Sequence, residues 1–375
     1  MCAMYYVTEL CPDSPAYYGN RSACYMMLHQ YKDALEDARK SVALDTSFVK
    51  GYIRIAKCSL ALGDLTAADN AITTVKELNP GNTSILPEIQ KLEVIRRFEE
   101  EGNKAYQKQD YRKVVFCMDR ILEQVPCTRF KLKKAECLAF LGRYQEAQEI
   151  ANDILHVDKQ NADAVYVRGM CLYYQDNVER AFSHFQHVLR LAPDHQKAMD
   201  IYKRAKALKQ KKEEGNEVFK AGRFNEAYNL YTDALKIDPH NKSTNAKLYF
   251  NRATVCSKLG RLNEAVADCS SALELDENYL KALLRRAKYR HANASDGEKK
   301  EQEKKFKEVG EAYGILSDPK KRARYDNGQD LEDMEGMASD IDPNNVFQAF
   351  FAEPGGGQFN FTSGSFPGGF TFQFG

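Results

Sequence analysis

Apolar and small positions along this chain follow a long repeat laid over a helical one. Gly102, Ala135 and Gly169 are spaced by 33 and 34 residues, Gly215 and Ala253 continue the series, and Ala287 follows Ala253 by 34. Pro126, Lys159, Pro193 and Pro239 hold the same phase at the end of each unit. Tyr111, Tyr144, Phe224 and Leu262 stand nine after the small anchor, and Val114, Ala147, Ala181, Ala227 and Ala265 stand twelve after it. The pattern predicts two amphipathic helices per unit, with small residues where they cross. Stacked units of that length form a solenoid, so the fold class expected is all-α.

The pattern resembles the tetratricopeptide repeat family. Glu-Gly-Asn-Lys-Ala-Tyr (101–106), Leu-Gly-Arg-Tyr-Gln-Glu-Ala (141–147) and Ala-Leu-Lys-Ile-Asp-Pro (234–239) carry the likeness. The family's frequent Trp is absent, and Tyr18 and Tyr249 stand in its place. The repeats and their breaks divide the chain into a remnant of a cut first repeat (1–13), a first block (14–80), a middle block (94–196) and a last block (208–289). A basic helical link, Lys197 to Lys212, is expected before the last block. The third repeat of that block has only its first helix, so Leu283 and Leu284 lose their partner and the helix is expected to fray.

The polar residues of the last block form a set. Lys212 and Asn216 are four apart on one first helix, Asn251 lies on the next, and Lys281 and Arg285 are four apart on the third. First helices line the concave face of such a solenoid, and a spacing of four keeps each pair on one stripe. Amides can donate to both oxygens of a carboxylate, and the cations add charge-assisted bonds. The five positions resemble the carboxylate clamp of chaperone-binding tetratricopeptide proteins. The resemblance implies that the groove grips the acidic C-terminal tails of the heat-shock 70-kDa and 90-kDa chaperones. Asn20, Lys50 and Arg54 match the last three clamp positions in the first block, a weakened second peptide site. In the middle block Asn103 and Arg168 fit, whereas Glu99, Lys133 and Ala164 do not.

After Tyr289 the period stops. Residues 304–326 contain Phe306, Val309, Ala312 or Tyr313, and Leu316 at helical spacing, then Ser317-Asp318-Pro319 and Arg324-Tyr325-Asp326. This resembles the third and fourth helices of a DnaJ J-domain, placed at 290–327. A J-domain engages the 70-kDa chaperone's ATPase through a basic helix and a His-Pro-Asp tripeptide. No His-Pro-Asp occurs in this sequence. An internal deletion joining Tyr289 to Arg290, by splicing or in the gene model, accounts for both the missing repeat helix and the missing J half. Residues 328–375 end in a Gly- and Phe-rich stretch without charge, resembling DnaJ tails and expected to be disordered.

Taken together the segments resemble the DnaJ-subfamily-C co-chaperones with tetratricopeptide repeats. That family implies a bridge between the two chaperones, clients that include steroid receptors, and a place in cytoplasm and nucleus. Charge and composition agree with a binding protein. Lys plus Arg is 54 against 53 for Asp plus Glu, which argues against bulk nucleic-acid binding. RNA binding would need cations along the whole groove, and the middle block lacks them. No apolar run approaches the roughly 18 residues of a membrane helix, and no signal-peptide pattern opens the chain. The ten Cys are scattered singly, as buried thiols in a reducing compartment would be. His184 and His187 share a helix face without a third ligand nearby, so no metal or cofactor is expected. No P-loop or Gly-x-Ser-x-Gly elbow marks an enzyme. The rival expectation is a repeat scaffold without chaperone ties, which would not require a free C-terminal carboxylate.

Overall fold

The computed structural model of the chain describes residues 13–302 together with Cys11, Lys304 and Lys305. The half-repeat expected before residue 11, the J-like helices after Lys305 and the Gly/Phe tail lie outside the described residues. The described chain is helical: α1 (Pro15–Met27), α2 (Tyr31–Leu44), α3 (Val49–Leu62), α4 (Leu65–Leu78), α5 (Leu86–Gln107), α6 (Tyr111–Leu122), α7 (Thr128–Phe140), α8 (Tyr144–Val157), α9 (Ala162–Tyr174), α10 (Val178–Leu191), α11 (Gln196–Lys220), α12 (Phe224–Ile237), α13 (Lys242–Lys258), α14 (Leu262–Leu275) and α15 (Leu280–Asn293). The chain forms two compact units, residues 1–207 and 208–375, and the division falls within α11.

Local chemistry sets the helix ends. Pro15 opens α1, where its missing N–H and fixed φ cost nothing. Asn161 caps α9 by accepting from Ala164 N–H at 3.0 Å, and Asn241 caps α13 by accepting from Thr244 N–H at 3.0 Å. The turn within each helix pair needs one left-handed residue. Gly142 and Gly260 supply it with φ of 82° and 76°, while Gln109 and Asp176 hold the same place at 58° and 61°.

The small anchors lie where pairs cross. A Cβ on Gly169 would stand 2.8 Å from the Phe185 ring, and one on Gly215 would stand 2.7 Å from the Tyr231 ring. Ala147, Ala181, Ala227 and Ala265 have no exposed surface. Seven thiols are buried, Cys11 is exposed and Cys24 is partly so, and none of them is in a disulfide among the described residues.

Three findings differ from the sequence expectation. The segment Lys197–Lys212 is helical as expected but is more than a link: it belongs to the 25-residue helix α11, with Ala198, Ile201 and Ala205 buried in the first unit and Leu208 in the second. Likewise α5 begins at Leu86, ahead of residue 94, and buries Leu92 and Ile95. Both helices carry apolar residues at spacings of three and four, so each is a packed element. Third, α15 is a continuous helix to Asn293 rather than a frayed one. Tyr289 anchors it in a core with Ala253, Cys256, Ala265 and Cys269, while Leu283 stays 44% exposed.

Candidate functional site

In the second unit, Lys212 and Asn216 lie on α11, Asn251 on α13, and Lys281 and Arg285 on α15. The lack of a side chain at Gly215 lets the Tyr231 ring press against α11. The Tyr231 hydroxyl then donates to Asn216 Oδ1 at 2.7 Å. Asn251 Nδ2 donates to the same oxygen at 3.2 Å. With both acceptor sites of Oδ1 taken, the Asn216 amide is fixed and turns its N–H groups to the groove. Burial pushes the Tyr231 hydroxyl up to about 12, so it remains a donor at neutral pH.

Arg285 is held on the face of α13. Its Nη1 donates to Thr254 Oγ1, and its guanidinium lies 4.6 Å from the centre of the Phe250 ring. Phe250 in turn contacts Tyr279, with ring centres 5.3 Å apart. Thr254 is three residues after Asn251, so Arg285 shares a face with the amide pair. Lys281 is exposed one turn before Arg285, and Lys212 stands one turn before Asn216. Next to Asn251, Arg252 binds both oxygens of Asp268, at 2.7 and 2.9 Å, and also donates to Thr232 at 3.0 Å. The structure therefore brings Asn216, Asn251 and Arg285 into one polar surface. Tyr231, Phe250 and Thr254, which set its geometry, carry no signal at the clamp spacing. An array of amide donors and cations of this kind binds anions, carboxylates above all.

The first block is less complete. Asn20 is exposed, and Arg54 Nη1 bonds the Lys50 carbonyl at 3.5 Å. Among the described residues no hydrogen bond joins Asn20 to Lys50 or Arg54. Gly19 stands where the last block has Phe250; a Cβ there would lie 2.8 Å from the Phe48 ring and 3.0 Å from Arg54. Burial lowers the Arg54 pKa.

The middle block balances its own charge. Arg129 pairs with Glu99, Lys133 donates to Asn103 Oδ1, and Lys197 Nζ holds the two oxygens of Glu136 at 2.9 and 2.8 Å. Arg168 is not the counterpart of Arg285. Arg285 stands two before its small anchor Ala287, and the residue two before Gly169 is Val167, which is buried.

Comparison with known proteins bears on these repeats directly. Tetratricopeptide repeat models match residues 132–196 and 246–279, and a DnaJ domain model matches residues 271–326. The DnaJ match takes in α15, which the helical period assigns to the last repeat. The human DnaJ homolog subfamily C member 7 is 46% identical, over 98% of this chain and 89% of its own length. The chain belongs to the DnaJ homolog subfamily C member 7 family. The mouse member is 45% identical over the same shares, and the Dictyostelium discoideum homolog is 30% identical over 91% of this chain and 78% of its own. The alignment with the human member runs over 443 positions, more than the 375 residues here, so that member carries residues without a counterpart in this chain. Among solved structures the tetratricopeptide domain of P58(IPK) is similar at 22% identity, covering 89% of this chain and 93% of its own, with a TM-score of 0.48. The subfamily C member 7 family thus places tetratricopeptide repeats and a DnaJ segment in one co-chaperone chain. Among the described residues no helix is long and apolar enough to cross a membrane, and no cluster of three metal-ligating side chains occurs.

Proposed function

We propose that the groove of residues 208–289 binds the free acidic C-terminus of a chaperone tail. Lys212, Asn216, Asn251, Lys281 and Arg285 are its contact residues. The observation that carries this reading is the fixed Asn216 amide, whose oxygen is occupied by Tyr231 and Asn251. An amide held that way presents only donors, which both oxygens of a terminal carboxylate can accept, whereas a neutral amide terminus offers one acceptor, no charge and an NH2 that meets no acceptor. The tails of the heat-shock 70-kDa and 90-kDa chaperones carry such termini. The chain then acts as an adaptor that aids client transfer between the two, by binding rather than by catalysis, in cytoplasm and nucleus. Steroid receptors as clients follow from the family resemblance alone. Asn20, Lys50 and Arg54 form at most a weaker second site. J-dependent ATPase stimulation is lost here, because no His-Pro-Asp is present.

Calorimetry with the full chain tests the reading. A tail peptide with a free C-terminus should bind near micromolar, about −8 kcal/mol, and its C-terminal amide should bind much more weakly. Equal affinity for the two peptides would rule out the clamp.

A further inference from the structure

The middle groove keeps one element of the last block's geometry, the asparagine of the first helix bonded by a donor of the second. Asn103 follows Gly102 as Asn216 follows Gly215, and Lys133 stands two before Ala135 as Asn251 stands two before Ala253. In each case the donor on the second helix bonds Oδ1 of the asparagine on the first. Lys133 thus holds the Asn103 oxygen as Asn251 holds that of Asn216, while the place of the Tyr231 hydroxyl falls to Met118, which cannot donate. An ammonium has replaced an amide as the second donor.

Not every cation of this groove sits in a salt bridge. Arg129 is matched by Glu99. Lys197 is matched by Glu136, a carboxylate only 5% exposed that lies within hydrogen-bonding reach of the Tyr106 hydroxyl. Among the described residues Lys133 makes no ion pair; its partners are the neutral Asn103 oxygen and the Tyr106 ring, 5.3 Å from its Nζ. Burial lowers the Lys133 pKa from the ordinary lysine value, as expected of an ammonium that has lost water without gaining a full counter-charge. Lys133 is thus an ammonium without a salt bridge of its own, beside the Asn103 amide.

The third helix limits what can enter. By the anchor spacing, the positions of Lys281 and Arg285 belong to Asp163 and Val167 in this block. Asp163 is an acid held by His195 at 3.1 Å, and Val167 is buried. A run of acidic residues would meet Asp163 and be repelled. A single carboxylate in an otherwise uncharged peptide would not.

We propose that Asn103 and Lys133 form a second anion subsite, one that takes a single carboxylate of a peptide and discriminates against polyacidic tails. The subsite is independent of the proposed chaperone-tail reading.

The test uses the full chain carrying Lys281→Ala and Arg285→Ala, which removes competition from the last block. Side-chain amide signals of Asn103, assigned by loss in Asn103→Ser, are followed by NMR during titration. Three probes are used: a blocked peptide with one Glu among neutral residues, the same peptide with Gln, and a neutral peptide with a free carboxyl terminus. The Glu peptide or the free-terminus peptide should shift the Asn103 signals saturably, and which of them does so assigns the source of the carboxylate. Lys133→Met should weaken that binding about tenfold, the loss of one charge-assisted bond, and Lys133→Arg should retain it. Asn103 signals that respond to neither acid, or equally to the Gln peptide, would overturn the proposal. So would unchanged affinity in Lys133→Met with its circular dichroism intact.

Discussion

Arg252 and Asp268 form a two-pronged ion pair that has a twin in the first block, Arg21 and Asp37, also sixteen residues apart and also joined by two bonds. Each arginine directly follows a clamp-position asparagine, Asn251 or Asn20. The pair ties the helix that presents the asparagine to the helix behind it. In the last block the side chains are 16% and 10% exposed, so the charges are largely withdrawn from water. Removing one partner leaves the other buried and uncompensated. Asp268→Ala should therefore cost about 3 kcal/mol, seen as an earlier urea midpoint of the second unit. An effect below a few tenths of a kcal/mol would show that the pair is solvated in solution.

The Tyr231 hydroxyl fixes the Asn216 amide. Tyr231→Phe removes one hydrogen bond, about 1 kcal/mol, and leaves Asn216 free to turn its oxygen toward the ligand. Affinity for a free-acid tail peptide should fall several-fold while affinity for the amidated peptide stays unchanged. Calorimetry on both peptides separates this loss of orientation from a general loss of fold, which would lower both.

Arg285 is positioned by Phe250 and Thr254. Arg285→Ala should weaken tail binding by about 1–3 kcal/mol, the range for a bond to a charged group. Phe250→Leu keeps the cation but removes the ring beneath it, so its cost should be smaller, near the ~0.5–1 kcal/mol of an exposed cation–π contact. If Phe250→Leu equals Arg285→Ala in calorimetry, the ring touches the ligand itself.

Much of this architecture is legible in the sequence because a small residue every 33 or 34 positions has one physical cause. Gly102, Gly169 and Gly215 lie where a Cβ would strike Met118, Phe185 or Tyr231, and such crossings recur once per unit. The long helices α5 and α11 are less legible, since the stretches joining the blocks carry no anchor glycine. The clamp residues are visible at spacings of four within a helix. The bonds that orient them are not, because Tyr231 is 15 residues from Asn216 and Arg285 is 31 from Thr254, distances that no local pattern encodes. The off-by-one reading of Arg168 has the same root. A cation near the expected place looks like a match until the anchor fixes the face.

Alkaline pH should destabilise the second unit. Burial raises the Cys256 and Cys269 thiols to about 11, above an ordinary value near 9, and Tyr231 to about 12, above one near 10. These groups bind protons more tightly folded than unfolded. Their contribution is fully present below the unfolded values and is lost as pH rises through the folded ones, here from about 9 toward 12. Urea midpoints of the second unit should fall across that window, and Cys256→Ala should flatten the lower part of the slope. A midpoint independent of pH between 9 and 11 would show that the thiols are not buried in solution.

The last prediction concerns the junction after Tyr289. Packed through Ala282 and Tyr289, α15 has a buried side, yet Leu280 and Leu283 remain about half exposed on the other. The chain then passes from Tyr289 to Arg290 without a His-Pro-Asp. Stimulation of the heat-shock 70-kDa ATPase by a J-domain depends on that tripeptide and on the basic helix before it, so the DnaJ match at 271–326 does not supply the part that acts on the ATPase. The proposed clamp residues all precede or lie within α15, and Asn216, Asn251 and Arg285 are held by bonds among α11, α12, α13 and α15, so the proposed tail binding does not require that part. The two activities should separate in this chain. In a single-turnover assay it should leave the ATPase rate at its basal value while binding the tail peptide. Added in excess beside a full J-protein of the same family, it should slow the stimulated rate by competing for the tail, and Lys281→Ala with Arg285→Ala should abolish that competition. A stimulated rate from this chain alone, matching that of an intact J-protein, would show that residues after Arg290 engage the ATPase without the tripeptide.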